Sequence, residues 1–183
     1  MSAGTDSGRE GFLALAELSR RHGRGARSLP AQTGATPTRT AVCFRLQGGP
    51  VAILLDELGE LLEVPRCTRL PGVKSWVRGI ANVRGRLIPL IDFAAFLGER
   101  PQAPDKRQRV LLIERDGVAA GLVVDEVVGM KHFRVDSYSE ERETVPPGLA
   151  RFVPGTFVDN GEHWPLFRPE ALFGHQDFLD VAA

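Results

Sequence analysis

Three places in this 183-residue chain carry side chains that could do chemistry. Asp56-Glu57 and Asp125-Glu126 each set two carboxylates side by side after an apolar run, the raw material of a general acid and base. The same position suits a cap on the turn that follows, and we adopt that plainer reading. Asn82, Arg84 and Arg86 crowd Gly85 in an otherwise apolar stretch, where a rigid five-donor guanidinium could meet carboxylates or helix-end carbonyls of a partner. A solvated hairpin tip has the same composition. The acidic cluster Glu140, Glu141 and Glu143, broken by Arg142, reads as a solvated surface. His22, His132, His163 and His175 are scattered without ligand spacing, and no G-x-S-x-G, G-x-x-x-x-G-K-[ST], H-E-x-x-H or G-x-G-x-x-G occurs. No catalytic set, metal or cofactor is expected.

The elements that must position these groups follow from the local pattern. From Trp76 to Gly98 the chain reads as a strand, a turn at Gly85, a second strand Leu87-Ile88-Pro89-Leu90-Ile91, then a short helix. Asp92 sits where an N-cap belongs, Phe93, Phe96 and Leu97 share a helix face, and Gly98 suits the C-terminal end. Upstream, Val42 to Leu46, a Gln47-Gly48-Gly49 turn and Val51 to Leu55 form a hairpin. Asp56 to Leu62 follows as a helical turn or two capped by Asp56.

The hairpin recurs. At a constant offset of 69 (Asp56 onto Asp125), Val42-Cys43-Phe44 falls on Leu111-Leu112-Ile113 and Gly48 on Gly117 without a gap. The closing pieces match at an offset of 76 (Pro89 onto Pro165), which places a seven-residue insertion near Ser139 to Pro147. Such a repeat predicts two similar β-rich subdomains, each a small closed barrel of about five short strands packed on its twin. The halves span about 41–100 and 108–174 of a domain running from 41 to 183, with Gly98 to Gln108 as the linker. Residues 1–40 read as an extension: a short apolar helix face at Phe12 to Leu18, a basic stretch at Arg20 to Arg24, and a Ser, Thr, Gly and Pro-rich linker from Ala26 to Pro37. It is either a fraying tail or a docking helix for a partner.

Composition narrows the classes. Lys+Arg and Asp+Glu both number 23, so no overall charge draws the chain to nucleic acid or an anionic membrane. Aromatics are 7%, mostly at core-like positions, which argues against a single-strand nucleic-acid barrel. Cys43 and Cys67 form no C-x-x-C, and no run reaches the length of a membrane span or forms a signal peptide, so a reduced cytoplasmic location is expected.

Gly79 to Asp92, G-I-A-N-V-R-G-R-L-I-P-L-I-D, resembles the CheW-like domain family, whose hallmark is an N-L-R-G turn, an apolar strand with Pro, and an Asp-Leu pair. The resemblance runs from about Ala41 to about Gly174 and includes D-E-L-G-E-L-L at 56–62 and G-L-V-V-D at 121–125. Val83 stands for the usual leucine, Phe93 follows Asp92, and Leu166-Phe167-Arg168 lacks the aspartate often found there. Val73 to Gly79, Ala81 to Leu87 and the L-P-A-Q segment at 29–32 look like the PilI type, adaptors of the chemosensory system that governs type IV pilus twitching motility.

The resemblance implies two intertwined five-stranded SH3-like barrels and a non-catalytic adaptor. Such an adaptor joins the cytoplasmic tip of a methyl-accepting chemoreceptor to the regulatory domain of a CheA-like histidine kinase, peripherally at receptor arrays, without membrane insertion. It further implies that the receptor tip docks between the barrels on Leu58, Glu60, Asn82, Arg84 and Gly85. Two plainer roles stay open: Arg84 could bridge Glu60 and hold the groove's shape, and Leu58 could be ordinary core. A kinase-regulatory module of another pathway, or a ligand-binding or enzymatic barrel, are the alternative functions.

Overall fold

The computed structural model describes residues 36–183 except 101, 102, 105, 143 and 144. The expected N-terminal helix and basic stretch, with all but the last residues of the linker, lie outside the described residues. Twelve strands run in the order β1 (Thr38–Leu46), β2 (Gly49–Leu54), β3 (Glu60–Glu63), β4 (Cys67–Thr68), β5 (Val77–Val83), β6 (Arg86–Asp92), β7 (Arg109–Arg115), β8 (Val118–Val124), β9 (Glu126–Arg134), β10 (Tyr138–Ser139), β11 (Thr156–Asp159) and β12 (Glu162–Phe167). Three short α-helices, α1 (Phe93–Phe96), α2 (Pro169–Phe173) and α3 (Gln176–Leu179), and 3₁₀ turns at Leu55–Glu57, Val135–Ser137 and Ala150–Phe152 complete the described elements.

These strands form two curled six-stranded sheets, β10-β11-β12-β2-β1-β9 and β3-β7-β8-β6-β5-β4. The two halves expected from the sequence do not each fold on themselves; they trade hairpins in space. The first repeat's hairpin β1-β2 completes the sheet of β9–β12, and the second repeat's β7-β8 completes that of β3–β6. The exchange is symmetric: β1 pairs antiparallel with β9 as β7 does with β3, and β2 pairs parallel with β12 as β8 does with β6. Two-residue strands β4 and β10 raise the count per sheet from the expected five to six.

Burial explains why the hairpins are exchanged. On β1, Val42, Phe44 and Leu46 enter a core built from both sheets, while Ala41 and Cys43 face an interior built only from the first sheet. On β2, Val51 and Ile53 take the shared core and Ala52 and Leu54 the private one. β7 and β8 do likewise, with Leu111, Ile113 and Leu122 in the shared core and Val110 and Val123 in the second sheet's interior. Both faces of each hairpin are thus removed from water, which is why these strands read as near-continuous apolar runs.

All four hairpin turns place two successive residues at positive φ, ending on glycine: Gln47-Gly48, Arg84-Gly85, Asp116-Gly117 and Asn160-Gly161. These are the turns whose twist matches that of the flanking strands. Asp92 caps α1 as expected, its Oδ1 accepting from the Ala95 N–H at 3.1 Å, and Gly98 at φ 85° ends it. Asp56 does not cap. The segment after β2 is a single 3₁₀ turn, Leu55–Glu57, with Leu54 at the cap and no side-chain hydrogen bond, before the chain returns to strand in β3. Arg168, at the position of the missing aspartate, gives α2 no side-chain cap; Pro169 at the first helical turn supplies the start instead.

Candidate functional site: a groove between two sheet edges

β3 is an edge strand of one sheet and β9 of the other, and a groove of about 370 Å³ opens between them. One wall holds Leu55, Leu58, Gly59, Glu60 and Leu61, and the other Val127, Gly129 and Met130, with Val42 also in the lining. Leu58 is half-buried against the shared core, so its two readings merge: it is core on one side and groove wall on the other. Leu61 and Met130 stand open to solvent, Met130 at 67% exposure, far outside the usual range for a strand methionine.

The repeat relates the two walls. At the offset of 69, Leu58 maps onto Val127, Glu60 onto Gly129 and Leu61 onto Met130, so the groove lies where the two copies of one segment face each other. The second wall was missed from the sequence although the repeat held the signal: apolar Val127 and Met130 at the repeat positions of Leu58 and Leu61. A register shift between Cys43 and Phe44 leaves Val128 without a cross-strand partner, a bulge that falls beside Gly129 at φ 147° on the groove wall.

Of the expected site residues, Leu58 and Glu60 line the groove, and Arg84 reaches it only through Glu60. Arg84 Nη2 donates to Glu60 Oε1 at 2.5 Å, with the arginine side chain 78% and the glutamate 25% exposed. Asn82 and Gly85 do not line the groove. Asn82 Oδ1 accepts from the Gly85 N–H at 2.8 Å, closing the turn on which Arg84 sits at φ 52°. Their part is to aim the guanidinium, and Arg84 bridges Glu60 as one of its two readings required. Arg86 points to another strand and pairs with Glu114 at 2.7 Å, which holds that carboxyl below its usual range.

The carboxylate pairs are spoken for separately. Glu57 accepts from Arg168 Nε at 2.9 Å across the two repeats, and its burial, only partly opposed by Arg168, raises its pKa. Asp125 is buried and accepts from the Gly48 N–H at 3.1 Å, so it holds the first repeat's hairpin turn rather than capping its own. Glu126 lies 3.5 Å from Arg45 and 3.8 Å from Arg107. Burial pushes the Cys43 thiol up to about 12, which keeps it protonated and a poor nucleophile. Among the described residues no cluster of His, Cys, Asp and Glu could hold a metal ion, and no helix is long and apolar enough to cross a membrane. What this site offers is an apolar trough with one charged lip, suited to holding another macromolecule's apolar surface.

Residues 40–177 match the CheW-like domain family. The chain belongs to that family. It is 45% identical to protein PilI of Pseudomonas aeruginosa over 93% of this chain and 96% of that protein, and 28% identical to protein FrzA of Myxococcus xanthus over 67% of this chain and 72% of that one. Among solved structures, the scaffolding protein TtCheW from Thermoanaerobacter tengcongensis superposes with a TM-score of 0.68 at 23% identity, covering 77% of this chain and 96% of that one. This CheW-like domain is therefore a PilI-type adaptor of chemotaxis-type signalling.

Proposed function

We propose that this CheW-like adaptor couples the cytoplasmic tip of a methyl-accepting chemoreceptor to a CheA-like histidine kinase in the pathway that controls type IV pilus twitching motility. It works in the cytoplasm at receptor arrays and makes or breaks no covalent bond. The observation that carries this reading is the groove between β3 and β9: solvent-exposed apolar side chains from both repeats flank an ion-paired lip, in a chain 45% identical to PilI. Contiguous exposed apolar surface of this kind marks an interaction site. An amphipathic helix meets such a trough through residues spaced one helical turn apart, and flexible methionine adapts to more than one such face.

Arg84 would then act in two ways, shaping the lip through Glu60 and offering its exposed donors to the receptor. The test is capture on the full chain from native cells, with a second sample lacking residues 1–40, probed for a chemoreceptor and a histidine kinase. Recovery of both by the full chain supports the proposal. Recovery of a receptor with no kinase, under conditions where the kinase is present, favours a stand-alone regulatory module.

A further inference from the structure

Charge is balanced over the whole chain but not along its length. From Val64 to Ile91 the sequence carries Arg66, Arg69, Lys74, Arg78, Arg84 and Arg86 and no aspartate or glutamate. Arg84 and Arg86 reach carboxylates elsewhere, Glu60 and Glu114. Arg69, Lys74 and Arg78 instead line one cleft of about 650 Å³, larger than the groove between β3 and β9 and sharing no lining residue with it. This cleft lies among edge strand β4, the connection into β5, the start of β5 and the end of β6.

Each of the three cations is held differently. The Arg78 side chain is only 23% exposed; its Nε and Nη2 donate to Asp92 Oδ2 at 3.1 and 2.8 Å, and its Nη1 to Gln108 Oε1 at 2.9 Å. Two of its five N–H groups are left over. Lys74 Nζ donates to Asp180 Oδ2 at 2.9 Å, and that carboxylate is 64% exposed. Arg69 is exposed and has no hydrogen bond or ion pair among the described residues. Asp92 is the one acid of the lining among the described residues, and both its oxygens are used, Oδ1 by the cap on α1. Three cations and one carboxylate leave the lining with two positive charges in excess; Asp180, not itself in the lining, offsets one. Leu70, Val73 and Val77 add apolar wall.

A surplus of positive charge beside apolar wall, in a concavity of the size that small-molecule sites occupy, suits an anion with an organic body. A phosphate monoester carries about −1.5 to −2 at neutral pH, which matches the surplus, whereas a lone carboxylate meets half of it. We infer that the cleft beside β4 binds a small phosphorylated molecule. Arg69, Lys74 and the two remaining N–H groups of Arg78 take the phosphate, and Leu70, Val73 and Val77 hold the body. Asp180 is the resident competitor, a carboxylate that the phosphate displaces from Lys74. The inference is independent of the groove between β3 and β9 and of the adaptor reading that rests on it.

Calorimetric titration of the full chain tests it, with phenyl phosphate as the probe, inorganic phosphate as the head group without the body, and benzoate as the ring with a carboxylate. Phenyl phosphate should bind at one saturable site, at least about 10-fold more tightly than either of the others. Arg69→Gln, which removes an exposed and unpartnered side chain, should weaken it at least about 10-fold. Arg39→Gln makes the same charge change on an exposed arginine of β1 and should leave binding unaltered. Asp180→Asn should tighten binding several-fold, because the competing carboxylate is gone; an ion pair that only held the cleft's shape would not act in that direction. The absence of saturable binding, equal affinity for benzoate, or equal weakening by the two arginine variants overturns the proposal. Binding to vesicles of phosphatidylglycerol with none to phenyl phosphate would assign the cations to a lipid surface, and would also overturn it.

Discussion

Arg84 concentrates the account at the scale of single residues. Because its side chain is 78% exposed, the pair with Glu60 contributes no more than about 1 kcal/mol to folding. A central interface arginine is worth about 2 kcal/mol or more on truncation. Arg84→Ala should therefore lower receptor affinity about 30-fold or more while shifting the urea midpoint little; comparable losses in both would assign it to shape alone. Glu57 makes a different prediction. Its pKa is raised in the folded state, so the fold binds this proton more tightly than the unfolded chain does. Its contribution to stability consequently grows as pH falls through the folded pKa, and declines as pH rises from about 4.5. Glu114 behaves oppositely, its stabilisation being present above the usual carboxyl range and lost as pH falls. Urea titrations of the native chain and Glu57→Gln between pH 4 and pH 7 should show the difference between them narrowing or reversing in that sense.

Elements show how much could be read from the sequence and where reading stopped. The Trp76–Gly98 unit was legible in full, because glycine turn, apolar strand, Asp cap and glycine stop are all local signals. The stretch 56–62 was not. Its i, i+4 apolar spacing suits a helix, but pairing of Glu60–Glu63 with β7 from the other repeat supplies the backbone partners that make it a strand. Asp125 failed as a cap for the same reason: its partner, the Gly48 N–H, lies in the other repeat's turn. Half of the groove was therefore hidden, since β9 meets β3 only after the hairpins are exchanged. Two glycines separate close approach from turn geometry. A Cβ on Gly79 would lie 2.2 Å from the Thr68 carbonyl oxygen, and one on Gly155, its repeat counterpart, 2.4 Å from that of Ser139. Gly79→Ala should cost on the order of 3 kcal/mol or more, since backbone must shift and the φ of 142° is strained. Gly85→Ala, with φ 83° and open space around it, should cost only about 1 to 2 kcal/mol. Chemical denaturation of the two variants separates these values.

At the scale of the whole molecule, trading hairpins joins the repeats into one cooperative unit. Each sheet's centre is borrowed from the other repeat, and the core that Phe44, Phe93, Leu122 and Phe167 share belongs to both. Trp164 reports the first sheet's interior and Trp76 the edge of the shared core, so far-UV dichroism and tryptophan emission should give one coincident unfolding transition. The same exchange creates the groove by bringing β3 and β9, edge strands of different sheets, to line its two walls, and the proposed adaptor function rests on it. The most direct test is a titration of the full chain with a helical-hairpin fragment of a receptor tip, comparing Leu61→Glu and Met130→Glu with Leu179→Glu, an exposed leucine of α3. The account predicts that both groove variants weaken binding at least about 10-fold, about 1.4 kcal/mol, while Leu179→Glu binds as the native chain does. Native affinity in the groove variants, or equal weakening in all three, would contradict it.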